Sequence, residues 1–280
     1  MNVGMMLPAD THPGAFAKHA EDVGLESVWT GDHLIALAPK LDSTLLLATA
    51  AAATTRLRLG FGVLILALRP TAWAAKQVAT LQLLSGDRVV LGIGTGGAVH
   101  GDAGWRAAGV PFAERGPRTD AALALLPDLV AGRPTPIDGD TATLAPGATM
   151  PPVLIGGGPV ALRRAARFGH GWYPAFLSPA DLAAAVQDFD GPVTAQVAMA
   201  LGDVPEAVVD AQVRALSGYG MTEENARATL LTGGPAQAAD RLAALRDAGA
   251  ERVVGLPFGG DHHQQAELLA EAARHAAGYG

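Results

Sequence analysis

Short apolar runs rich in β-branched residues alternate along this chain with Ala-rich segments of helical spacing, the pattern of repeated β-α units around a parallel sheet. The apolar runs fall at residues 3–6, 27–30, 57–66, 88–94, 153–156, 171–175, 195–201 and 252–257, which makes eight. Between them, Phe16, Ala20 and Val23 form an i, i+4, i+7 stripe closed by Gly24, and Ala74, Val78 and Leu81 follow Pro70 in the same way. Segments 235–248, stopped by Gly249, and 262–276 read as further outer helices. Eight strands with intervening helices in 280 residues predict an α/β fold, a (β/α)8 TIM barrel, as one domain over 1–280. Two stretches interrupt the rhythm and are expected to be loop insertions: 95–117 after the fourth strand, and the Pro- and Gly-rich 132–151 before the fifth.

Composition removes several classes of function. Hydrophobic residues at 49% against 17% charged exclude a disordered chain. A net charge of −7 provides no general attraction for nucleic acid. The absence of cysteine excludes disulfides, thiolate metal sites and a Cys nucleophile. The longest apolar stretches, 44–53 and 59–68, are about half of the roughly 20 residues a bilayer requires, and MNVGMMLPAD has no secretory signal pattern. A cytoplasmic protein without membrane contact is expected.

In a barrel the chemistry collects at the C-terminal ends of the strands. Three sequences fall there: Thr30-Gly31-Asp32-His33, Gly94-Thr95-Gly96-Gly97 and Gly156-Gly157-Gly158-Pro159. His33 is either a proton donor or acceptor near neutral pH or a turn histidine satisfied by a carbonyl. Asp32 is either a ligand-contacting carboxylate or a helix cap. The glycine run before Pro159 opens a helix over 160–168 and forms either a phosphate cradle or a tight turn. Residues 92–97 match GxGxxG without the helix that fingerprint requires. No metal is expected, because His262 and His263 are adjacent and not one helical turn apart. No GxSxG occurs, and Ser178 before Pro179 reads as an N-cap.

Four ordered motifs, GLESVWTGDHL (24–34), RLRLGFGVLILALRPTAWAAKQVATLQLLSGDRVVLGIGTG (56–96), GVPFAERGPRTDAAL (109–123) and PPVLIGGGPVALRRAARFGHGWYP (151–174), together resemble the luciferase-like monooxygenase superfamily. Within it the chain resembles the short oxidoreductases that use coenzyme F420. The resemblance implies a TIM barrel with a flavin-like ring lying across the strand ends, reached by Asp32 and His33. It implies a non-prolyl cis peptide at Gly62-Val63 beneath that ring, with Ile65 beside it, and contacts from Thr95, Gly96 and His100. Phosphate would be held by Gly157, Gly158, Val160 and Ala161. The implied reaction is hydride transfer between coenzyme F420 and a small organic substrate bound under the loop 97–117, with His33 as catalytic proton carrier and Trp105 as substrate contact. Trp29, Trp73 and Trp172 are expected to pack.

The chain departs from these relatives at three places. Gly97 stands where those acting on sugar phosphates carry Glu, His100 where they carry Asn, and His170 where the family usually has Asp before Gly-Trp. The lysines are Lys18, Lys40 and Lys76, none in the second half, which argues against a sugar-phosphate substrate. Two other functions stay open: an FMN-dependent monooxygenase served by a separate reductase, and a barrel that binds a flavin or deazaflavin without catalysis. A homodimer through outer helices such as 45–53 is also expected.

Overall fold

Strands that read as continuous apolar runs should be covered on both faces, and they are. All four residues of SVWT at 27–30 and all six of VVLGIG at 89–94 are buried. The computed structural model describes residues 1–8, 12–97, 101–168 and 170–278. The strands are β1 (Asn2–Met6), β2 (Ser27–Thr30), β3 (Arg58–Ile65), β4 (Val89–Gly94), β5 (Thr135–Ile137), β6 (Asp140–Ala142), β7 (Val153–Gly156), β8 (Gly171–Tyr173), β9 (Thr194–Leu201), β10 (Leu231–Gly233) and β11 (Arg252–Pro257). Nine of them form a parallel sheet in the order β10-β9-β11-β1-β2-β3-β4-β7-β8, with helices packed outside it. The sheet curls: isolated parallel bridges Trp172↔Val193 and Ala175↔Gln196 join the β8 side to β9.

Each of the eight apolar runs of the sequence forms a strand of this sheet. β10 was not anticipated; its three residues pair with the upper part of β9, Leu231 opposite Met199. Between β4 and β7 lie the short helix Ala103–Ala107, the helix Arg115–Val130 and an antiparallel hairpin of β5 and β6. The hairpin turns at Asp138-Gly139, both at positive φ, a pair well suited to a tight hairpin turn.

The N-terminal end of the sheet is pinned by two charged side chains, the buried Glu21 and the half-buried Arg88. Glu21, on the helix Pro13–Val23, accepts at one oxygen from the backbone N–H of Thr55, Arg56 and Leu57 at 2.9, 2.6 and 3.0 Å, fixing the chain as it enters β3. Burial works against the Glu21 charge, but the three N–H groups outweigh it and hold the carboxyl below the usual range. Arg88 donates to the carbonyls of Ala51, Thr54 and Leu57 at 2.9, 3.0 and 2.8 Å, closing the end of the helix Ser43–Ala53.

Inside the curl, space is taken by a few large side chains set against glycines. Trp29 is fully buried, donates through Nε1 to Ser27 Oγ at 2.8 Å and stacks on Tyr173 with ring centroids 5.2 Å apart. A Cβ on Gly60 would stand 2.1 Å from the Trp29 ring, so no larger residue fits there.

Replacing Glu21 by Gln exchanges charge-assisted hydrogen bonds for neutral ones, and an expected cost of about 1–2 kcal/mol at pH 7 follows. Because the folded-state pKa is lowered, the wild type carries this stability above its unfolded pKa and loses it on acidification. Urea melts should therefore show the gap between wild type and Glu21→Gln shrinking as the pH falls below the ordinary value of 4.5.

Candidate functional site

At the C-terminal ends of β2, β3, β4, β7 and β8 the curled sheet opens into a cavity of about 440 Å³. This is where a β/α architecture collects its ligand contacts. Gly31, Asp32 and His33 follow β2; Gly62, Val63 and Ile65 come from the upper half of β3; Thr95, Gly96 and Gly97 follow β4. Gly156 and Gly157 come from the end of β7 and the turn after it, and Tyr173, Ala175, Gln196 and Tyr219 complete the far wall.

The upper half of β3 builds the floor. The peptide bond Gly62-Val63 is cis, and pairing with β4 shifts register between Phe61 and Leu64. Val63 lies against β4 and β7, where a Cβ on Gly94 or Gly156 would stand 2.3 or 2.4 Å from its methyl carbons. The floor is thus hydrocarbon and peptide backbone.

Of the residues singled out from sequence, Asp32, His33, Gly62, Val63, Ile65, Thr95, Gly96 and Gly157 meet in this cavity. Gly158 and Val160 lie outside it, exposed where the helix Pro159–Phe168 begins, and Ala161 is buried beneath Gly157. His100 falls outside the described residues. Trp105 is buried, packs on Ile65 and Ala67 and meets Phe112 edge to face at 5.7 Å. It is not on the main wall; it borders a narrow cleft of about 20 Å³ that also touches His33 and Gly96. Trp73 corrects the expectation of packing: it is 67% exposed on the helix Thr71–Ser85. Trp29 and Trp172 are buried.

Asp32 is neither a helix cap nor an open carboxylate. It is buried, and its two oxygens accept from Arg69 Nη1 at 2.5 Å and Nη2 at 2.8 Å, Ile65 N at 3.0 Å and Ser43 Oγ at 3.2 Å. Four donors fill the four lone-pair directions of a carboxylate. Its own N–H donates to Val63 O at 3.1 Å. Asp32 therefore ties the end of β2 to the end of β3 and to the start of the helix Ser43–Ala53, and His33 is carried by this clamp. Burial acts against the charge of Arg69, but the Asp32 hydrogen bonds prevail and hold its pKa above the ordinary value.

Sequence reasoning did not reach Arg69, Tyr173 or Gln196. Tyr173 is buried, its hydroxyl donates to Gln196 Oε1 at 2.8 Å, and burial pushes the phenol far above its usual pKa. Among the described residues no group of three or more His, Cys, Asp or Glu could hold a metal ion, and no helix is long and apolar enough to cross a membrane.

The clamp makes a measurable claim. Arg69→Met leaves the Asp32 carboxylate buried without its countercharge, with an expected loss of about 3–5 kcal/mol in denaturant unfolding. The double variant Asp32→Leu/Arg69→Met should recover most of that loss, as a double-mutant cycle would report.

Known proteins resemble this chain in sequence or in fold. The F420-dependent glucose-6-phosphate dehydrogenase of Amycolatopsis mediterranei is 32% identical over 171 residues, 56% of this chain and 51% of that protein. The chain spans about half the length of the curated relatives it matches. Two solved structures share the fold across nearly the whole chain. An F420-dependent secondary alcohol dehydrogenase, in complex with an F420-acetone adduct, superposes with a TM-score of 0.82 at 17% identity, covering 98% of each chain. The oxygenating constituent of 3,6-diketocamphane monooxygenase from Pseudomonas putida, in complex with FMN, gives 0.75 at 16%, covering 99% of this chain and 98% of that one. The family model for luciferase-like monooxygenases matches residues 11–222, and the chain belongs to that family.

Proposed function

We propose that the protein is an oxidoreductase that moves hydride between coenzyme F420 and a small organic substrate. The observation that carries this reading is the cavity itself, where His33, the Gly62-Val63 step and the loops after β4 and β7 converge on one space of about 440 Å³. We read the curled sheet as a (β/α)8 barrel closed by the bridges between β8 and β9, one luciferase-like domain over 1–280.

The residues present fit a flat heterocycle with a phosphate tail. Gly62, Val63 and Ile65 offer it an apolar floor without charge, and Thr95 and Gly96 flank it. Gly157, at φ +127, turns the chain so that Gly158 and Val160 stand exposed at the helix start, where N–H groups and the helix dipole favour an anion; Ala161 packs behind. When bound, coenzyme F420 supplies a ring carbon that carries hydride. His33, on the rim beside that floor, holds the proton that must accompany hydride transfer. Asp32 positions His33.

The relative at 32% identity supports coenzyme F420 over FMN. The FMN-bound neighbour supports the second reading, a monooxygenase, by fold alone. The substrate is small and largely apolar. Pairing into a homodimer through outer helices fits the exposed Leu45, Trp73, Leu83 and Leu84, at 69, 67, 49 and 67% exposure.

Titration of the purified protein with coenzyme F420 and with FMN, followed by fluorescence, tests the cofactor. Saturation by F420 at concentrations at least tenfold below those for FMN is expected, and the reverse order would replace this reading by the monooxygenase. His33→Ala should leave F420 affinity within a few-fold while lowering single-turnover oxidation of reduced F420, by ketones, imines or activated alkenes, about 100-fold. Retained turnover would remove His33 from the chemistry.

A further inference from the structure

Tyr173 and Gln196 lie on the wall contributed by β8 and β9, and the reading above gives them no task. Their geometry is specific. Gln196 sits mid-strand on β9, pairs in register with Val254 of β11 and is only half-buried, because its end lines the cavity. The Tyr173 hydroxyl lies 2.8 Å from Gln196 Oε1 and 2.5 Å from where a Cβ on Gly62 would stand, so the pair adjoins the Gly62-Val63 floor.

A carboxamide can present either end, and here the choice is forced. The described residues offer the Tyr173 hydroxyl no acceptor besides Gln196. Were the carboxamide turned over, the phenol oxygen would accept from Nε2 and the phenol hydrogen would be left buried without an acceptor. Burial of the phenol keeps that hydrogen in place across the accessible pH range. Oε1 therefore faces Tyr173, and Nε2, from which none of the described residues accepts, faces the cavity. An oriented amide donor on a wall of glycine backbone, Val63 and Ala175 is a device for recognising an oxygen acceptor.

We propose that Gln196 donates to a carbonyl oxygen on the pyrimidine ring of the bound heterocycle, with Tyr173 as the positioning residue that fixes its carboxamide. This rests on the reading that the cavity takes a deazaflavin or flavin; both carry such carbonyls, and one donor at this edge selects one orientation of the ring.

The experiment uses the full chain, oxidised coenzyme F420 and FMN, with dissociation constants from fluorescence and band positions of the bound ring from absorption. Gln196→Leu keeps size and removes the donor. It should weaken the preferred ligand about tenfold and return the bound absorption band toward its position in water. Gln196→Glu, which turns an acceptor toward an acceptor, should weaken it further. Tyr173→Phe should lie between, with the band broadened by a carboxamide free to turn. Unchanged thermal midpoints within a few degrees would separate these effects from loss of fold.

If Gln196→Leu binds with wild-type affinity and an unmoved band, the inference is wrong while the cofactor reading stands. An unchanged ligand affinity with a raised substrate KM would equally overturn it, since the carbonyl would then belong to the substrate. If the wild type takes up neither F420 nor FMN, both this inference and the reading beneath it fall.

Discussion

The interior of a small curled sheet has room for few large side chains, and in this protein that limit decides what the cavity is made of. Trp29 takes the centre over Gly60, and Val63 takes the upper level against Gly94 and Gly156. Each large residue needs neighbours without a Cβ, so bulk on one strand is matched by glycine on the next. Below Val63 the interior is filled; above it, glycine backbone and short side chains leave space open to the strand ends. The cavity is thus the upper boundary of the packing that stabilises the sheet.

Charge is distributed to serve the same division. Glu21 and Arg88 use their charge on backbone groups near the N-terminal end, where they fix the turns into β3 and β4. At the other end Asp32 and Arg69 neutralise each other inside the wall, and every acceptor position of the carboxylate is matched by a donor. The clamp fixes the direction in which the chain leaves β2 and so the place of His33. It also neutralises the charge of Asp32, so that the polar lining of the cavity is otherwise made by His33, Thr95, Tyr173, Gln196 and Tyr219.

The strands were legible because a buried parallel sheet writes continuous apolar runs, and the rim positions followed from them. Partners distant in sequence were not legible. Arg69 meets Asp32 across 37 residues, and no local spacing announces that pair. Gln196 did carry a signal, being the polar residue that interrupts the apolar TAQVAMAL of β9 on a face that should be buried. Trp73 was also readable, since it falls off the Ala74, Val78, Leu81 stripe that marks the inward side of its helix. The Asp138-Gly139 pair marked a hairpin inside a segment taken as loop. β10, at three residues, has no period to read and owes its conformation to pairing with the upper part of β9.

Membership of a family whose relatives include a sugar-phosphate dehydrogenase leaves the substrate to be argued from the walls. The residues lining the main cavity include no lysine or arginine, and the carboxylate among them is already paired. A phosphorylated substrate would bring close to two negative charges against a lining without lysine or arginine, the nearest ammonium, Lys40 Nζ, standing behind Gly31 at 3.3 Å from where a Cβ would be, and desolvating such a group without a partner is costly. The rest of the lining is hydrocarbon and peptide with the imidazole of His33, the hydroxyls of Thr95 and Tyr219 and the carboxamide of Gln196, a set without a further fixed charge that suits the small, largely apolar substrate proposed above.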